Sequence, residues 1–129
     1  DDPLRIVGVL DWEMATVGDP LMDLGATLAY WVQRDDPSEA HILRMMPTHV
    51  DGAPTRREVV EMYANRAGLN VGSFEFYYCY GLFRLAVIAQ QIYYRSYHSQ
   101  TTDPRFSVFN QAVFALESAA RRVIGGAGW

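Results

Sequence analysis

Gly8-Val9-Leu10-Asp11-Trp12-Glu13-Met14-Ala15-Thr16-Val17-Gly18-Asp19-Pro20-Leu21-Met22-Asp23-Leu24-Gly25 is the stretch on which the reading of this chain turns. The residues before its first carboxylate, Arg5 to Leu10, are β-rich and follow Pro3, which predicts a short strand or one arm of a hairpin. Side chains alternate along a strand, so Asp11 and Glu13 are predicted on one side and Trp12 on the other. Two carboxylates leaving a strand end ahead of a loop suit a hard divalent cation such as magnesium. An acidic surface turn is the plainer explanation, and spacing alone leaves both open.

The loop is predicted to close on Asp19-Pro20, an acceptor for free helix amides followed by the residue that best tolerates the first helical position. Leu21, Leu24, Leu28, Trp31 and Val32 then recur at helical spacing, so this helix buries one face. Asp23 falls in its first turn, where the helix dipole favours a negative charge. The functional alternative for Asp23 is to brace a neighbouring loop through that loop's backbone amides.

The run from Val9 to Gly25, with Asp-x-Glu, Gly-Asp-Pro and Asp-Leu-Gly in register, resembles the metal-binding segment of the aminoglycoside phosphotransferase family. Members of that family have a protein-kinase-like fold, and the likeness is closest to the kinase-like domains fused to acyl-CoA dehydrogenases. A looser likeness continues through Phe83-Arg84, so it covers most of the chain. The resemblance implies that Asp11 is the catalytic residue that holds magnesium on the phosphates of ATP, as the Asp of Asp-Phe-Gly does in protein kinases. It implies a supporting metal and nucleotide role for Glu13 and that Asp23 braces the catalytic loop, while Asp19 as helix cap and Arg84 as a cation in an apolar helix are expected to give structural support. The family's His-Gly-Asp catalytic loop and its nucleotide-binding lobe are not in this sequence. The chain is therefore expected to be the C-terminal part of a larger enzyme, with residues 1–19 as metal-binding strand and loop and 20–129 as helical subdomain. By itself it is expected to transfer no phosphate and to self-associate through an exposed strand edge.

The totals agree with one globular unit. The 129 residues are half apolar, enough for a real core and against disorder. A formal charge of −4 argues against an electrostatic nucleic-acid binder. The single cysteine, Cys79, forms no internal disulfide and points to a reducing cytoplasm. No membrane segment is expected, because the most apolar run, Phe74 to Tyr94, carries Glu75, Arg84, Gln90 and Gln91.

Beyond the first helix, Arg34-Asp35-Asp36-Pro37 turns the chain. Ser38 to Met46 is predicted as a short helix with Ile42, Met45 and Met46 inward, and Pro47 to Pro54 as a loop. Thr55-Arg56-Arg57-Glu58 has capping-box spacing, and Gly68 suits the stop of a helix carrying Val59, Met62, Tyr63 and Ala67. Ser73 is predicted to open the longest helix, to about Tyr97, apolar over most of its circumference and hence buried. An arginine in the middle of such a helix needs a partner, and Asp23 is the first choice for Arg84. Tyr77, Tyr78, Tyr80, Tyr93, Tyr94 and Tyr97 offer either ring packing or a cage for a cationic substrate, packing being the commoner use. Asp103-Pro104 starts a last helix whose stripe runs through Phe106, Phe109, Val113, Leu116, Ala120 and Val123 to Gly125-Gly126. The predicted fold class is mainly α: the helical C-lobe of a kinase-like phosphotransferase with a short N-terminal β strand or hairpin.

Other site chemistries fail on their spacing. An EF-hand begun at Asp11 has Thr16 where glycine is needed and Met22 where glutamate is needed. His41, His49, His98 and Cys79 lack zinc-ligand spacing, and no Gly-x-Ser-x-Gly elbow is present. The closing Gly-Gly-Ala-Gly follows a helix rather than a strand, so it is no dinucleotide fingerprint. Two function classes remain: an ATP-dependent phosphotransferase acting on a small-molecule hydroxyl, and a non-catalytic helical interaction module with a structural acidic turn.

Overall fold

The computed structural model describes residues 2–129 and is mainly helical. Helix α1 spans Pro20–Ala29, α2 Arg56–Ala67, α3 Glu75–Tyr97 and α4 Phe109–Ile124. Three short 3₁₀ turns, Trp12–Met14, Ser38–Leu43 and Pro104–Val108, lie between them or ahead of them. Helix α3 is the axis of the molecule, with α1 packed along one side and α4 along another. Leu28 of α1, Phe74 and Leu82 of α3 and its cap, and Leu116 of α4 are the large side chains closed off completely from solvent.

Local chemistry set three of the helix ends as the sequence predicts. The Asp19 carboxylate accepts from Leu21 N–H at 2.9 Å, with Pro20 behind it as the first helical residue. Thr55 and Glu58 form the reciprocal capping box, and Gly68 ends α2 at φ 64°, a left-handed position that a side chain would strain. Asp103 accepts from Arg105 N–H at 3.0 Å, so the second Asp-Pro also opens a helical turn.

The N-terminal strand is not there. A strand exists through a ladder of hydrogen bonds to a neighbour. Among the described residues, 5–10 have no such neighbour, and Val7 is 91% exposed and Leu10 86%. The apolar β-formers of this segment therefore lie in solvent with nothing to pair against. The expected pointing of Asp11 and Glu13 to one side falls with the strand. Glu13 lies in a 3₁₀ turn, Trp12–Met14, and Asp11 precedes it in the left-handed region, so neither has the extended backbone that would align them.

Smaller departures come from tertiary packing. The Ser38–Leu43 segment buries Ala40, while Ile42 and Met45 stay exposed. In α2 the inward residues are Arg56 and Val60, and Met62 and Ala67 face water. Helix α3 begins at Glu75 rather than Ser73, and it is buried on two sides only. Arg84 is exposed, and among the described residues no salt bridge joins it to Asp23. Arg84 stands at the rim of α3 beside α1, where its side chain reaches solvent.

The buried arginine of this fold is Arg56, only 6% exposed. Its Nη1 donates to Asp36 Oδ2 and its Nη2 to Asp36 Oδ1, both at 2.7 Å, a bidentate pair. Nη1 also donates to Trp31 O at 2.8 Å, and the guanidinium lies 5.2 Å from the Tyr78 ring centroid. Further bonds tie the same corner: Trp31 Nε1–H to Pro54 O at 2.9 Å, Thr48 Oγ1–H to Val32 O at 2.8 Å, and Arg56 N–H to Gln33 Oε1 at 2.6 Å. The 47–54 loop is thus fastened to the end of α1, and α2 is anchored by its first turn.

Burial on its own would raise the Asp36 pKa. The hydrogen bonds and charge of Arg56, with the Gln33 amide and the Arg122 charge, outweigh it and hold the carboxyl below its ordinary range. A depressed folded-state pKa contributes stability that is present above the unfolded value, about 3.9, and is lost as pH falls through the folded value. Urea unfolding from pH 6 down to pH 2 should therefore show a steeper loss of stability below about pH 4 in the wild type than in Asp36→Asn. Parallel acid limbs for the two proteins would contradict the pair's role.

Candidate functional site

Asp11, the first residue of interest, occupies the left-handed region at φ 71° and ψ 44° at the start of the Trp12–Met14 turn. Asp and Asn tolerate this conformation better than other side chains do, yet it still costs energy, and such positions gather at functional sites. The Trp12 indole N–H donates to Val9 O at 2.7 Å and closes the turn. Both Asp11 and Glu13 are exposed. Among the described residues no group of three or more His, Cys, Asp or Glu side chains could hold a metal ion.

Asp19 does more than cap α1. Its Oδ2 accepts from the Tyr77 hydroxyl at 2.9 Å, which ties the loop's end to the first turn of α3. The bond to a carboxylate, with some burial, raises the Tyr77 phenol above its ordinary pKa. Asp23 and Arg84 line one groove between α1 and α3, with Thr27, Tyr30, Met46 and Gly81. The structure therefore brings Asp23 near Arg84 and Asp19 against Tyr77. It does not draw Asp11 and Glu13 together with any third ligand.

The floor of that groove rests on a feature the sequence reading missed. A Cβ on Gly25 would lie 2.2 Å from Tyr77 O, and a Cβ on Gly81 would lie 2.2 Å from Gly25 O. Helices α1 and α3 touch backbone to backbone at these two glycines. A glycine inside a 23-residue helix costs roughly 1 kcal/mol relative to alanine, so Gly81 already signalled a packing reason. Nothing in the sequence said which helix it met.

The tyrosines pack and do not converge. Tyr78 is buried over Arg56, with its ring 5.9 Å from that of Trp129, and burial pushes its phenol pKa up. The Tyr93 and Tyr97 rings lie 6.1 Å apart at the far end of α3, about 22–29 Å from Tyr78 along the helix axis. A single cage built from all six is excluded. No helix among the described residues is long and apolar enough to cross a membrane.

Comparison with known proteins adds the family. Residues 1–59 match the model described as "Phosphotransferase enzyme family". The chain is 36% identical over 103 residues to acyl-CoA dehydrogenase family member 10 of Mus musculus, covering 76% of this chain and 9% of that protein. It is 34% identical over 97 residues to acyl-CoA dehydrogenase family member 11 of Rattus norvegicus and 33% identical over 94 residues to that of Homo sapiens. In both cases 70% of this chain is covered. The chain spans 9% to 12% of the length of these curated relatives. No solved structure matches it. The whole Asp11–Gly25 segment lies inside the residues that match the phosphotransferase enzyme family.

Proposed function

We propose that this chain is the metal-side and acceptor-side part of an ATP-dependent phosphotransferase that phosphorylates a small-molecule hydroxyl. The family match across Asp11–Gly25 carries this reading. Residues 1–19 would form the metal-binding segment and 20–129 the helical subdomain. Asp11 would hold magnesium on the nucleotide phosphates and Glu13 would support it. The donor chemistry fits, because hard carboxylates suit an ion that completes its shell with water and substrate phosphates. When bound, magnesium neutralises charge on the phosphates.

The chain's own residues serve position. Asp19, held by Leu21 N–H and the Tyr77 hydroxyl, fixes where the loop ends and α1 begins. Asp23 and Arg84, which line one groove, would receive polar groups of a loop that completes the site. Partners on this reading are a nucleotide and a small-molecule acceptor, with no nucleic acid and no membrane, and Cys79 as the single thiol suits a reducing cytoplasm. Phosphoryl transfer needs metal, base and triphosphate clamp in one geometry, so the 129 residues alone should turn over no substrate.

In the full-length protein, Asp11→Asn should lower turnover by about 10²-fold or more, since a charge that acts on the reacting phosphates is removed at constant size. Glu13→Gln should cost less. Circular dichroism should be unchanged in both, because the two residues are exposed. Equal turnover of wild type and Asp11→Asn at saturating magnesium would refute the assignment and favour the interaction module.

A further inference from the structure

Two alanines stand at core positions where the apolar stripes of α3 and α4 meet. Leu85 and Ala89 are four residues apart on α3, and Phe109, Ala112 and Leu116 follow one face of α4. Ala89 is 3% exposed and Ala112 6%. Around their methyls, with Leu43 and Leu116, the side chains leave a cavity of about 150 Å³. Its rim is Tyr30, Ile42, Met45 and Val108, each between 38% and 72% exposed. Ile42 and Met45, which the sequence places inward, therefore border a concave site and not a flat surface. Among the described residues no charged side chain lines it. Protein interiors are close-packed, and a void costs stability that a larger residue at either alanine would recover.

We infer that this pocket binds the apolar end of a small molecule, an aryl or compact alkyl group of about six carbons. The volume selects the size, because an apolar cavity of about 150 Å³ accepts one benzene molecule. Pockets for whole drug-sized ligands run to roughly 300–1,000 Å³, so this one holds an end and not an entire molecule. The lining selects the chemistry. An ionised group here would lose its water and find no partner, whereas an apolar one gains contacts on every side but the mouth. The pocket shares Tyr30 and Leu85 with the Asp23–Arg84 groove, so the polar remainder of the ligand emerges beside charged side chains. The inference does not rest on the phosphotransferase reading.

Benzene is the probe. Titrated into the 129-residue chain, it should shift the methyl resonances of Leu43, Leu85 and Leu116 and leave those of Val60, in α2, unmoved. At about ten times the Kd so measured, it should raise the Tm by about 4–7 °C. Ala112→Leu should fill the pocket, weaken benzene binding by about 10-fold or more and raise the Tm of the ligand-free protein. Val108→Glu sets a charge on the exposed rim, where the fold tolerates it, and should weaken binding by about 10-fold with circular dichroism unchanged. Phe114→Glu, exposed on α4 and outside the pocket lining, should bind benzene as the wild type does. No methyl shift up to the solubility limit of benzene would overturn the proposal. Binding that survives both Ala112→Leu and Val108→Glu would overturn it as well, because the probe would then sit elsewhere.

Discussion

Arg56→Met should cost about 3–5 kcal/mol of folding stability, the usual consequence of stranding one member of a buried ion pair. For a domain of this size that is a fall in Tm of about 10–20 °C. Methionine keeps much of the arginine's length and apolar contact, so the loss comes from charge and hydrogen bonds. Asp36 would remain mostly buried without its bidentate partner, and Trp31 O would lose its Nη1 donor. Asp36→Leu should cost a comparable amount, because it strands Arg56 and leaves the Gln33 N–H unpaired. The double variant should be more stable than the sum of the single effects allows, since removing both charges also removes the desolvation penalty they share. Recovery should be partial, given the Trp31 carbonyl and Gln33 amide left behind. Thermal unfolding of the four proteins measures the coupling, and simple additivity would mean that the pair is not a unit.

Gly25→Ala and Gly81→Ala should each lower stability by about 2–4 kcal/mol, at the upper end of what overpacking costs. Helix propensity works the other way, since alanine is favoured by about 1 kcal/mol in a helix interior. Sterics win because the obstructing atoms are backbone. A methyl at Gly25 would meet Tyr77 O at 2.2 Å and Tyr77 C at 2.6 Å, and one at Gly81 would meet Gly25 O at 2.2 Å. No rotamer change relieves a clash with a helix carbonyl, so α1 and α3 must part by about 1 Å and loosen the packing of Leu28 and Leu82. Both substitutions open the same gap, so the double variant should cost less than the sum. Gly18→Ala, with nothing within 4 Å of the added carbon, is the control and should be close to neutral. Unchanged Tm values for Gly25→Ala and Gly81→Ala would refute the backbone-to-backbone crossing.

The candidate site was legible in the sequence where its signal is local. The Asp11–Gly25 motif stands in consecutive residues, and the Asp19 cap needs only its own helix to form. Its wider setting was not legible. Asp19 meets Tyr77 across 58 positions of sequence, and the Asp23–Arg84 groove exists only because α1 lies on α3. The expected partner of Arg84 was wrong for a related reason. An apolar composition all round a helix says that burial is favourable there, but it cannot say which sides find a neighbour.

By itself the sequence determined the mainly helical class, the four helices, the Asp19 and Thr55 caps and the Gly68 stop. Each of those features is decided within one or two turns of chain by caps, prolines, glycines and apolar period. Tertiary structure decided the rest. It withheld a strand from Arg5–Leu10, because strand structure needs a second strand and the described residues supply none. It made Arg56, an ordinary first-turn residue by sequence, the buried cation of the fold, because Asp36 and Trp31 O happen to converge there. It turned two glycines 56 positions apart into one contact, and left several aromatics on α3 facing outward. Propensity acts along the chain and is readable from it. Pairing acts through space, and only the packed structure shows which surfaces met.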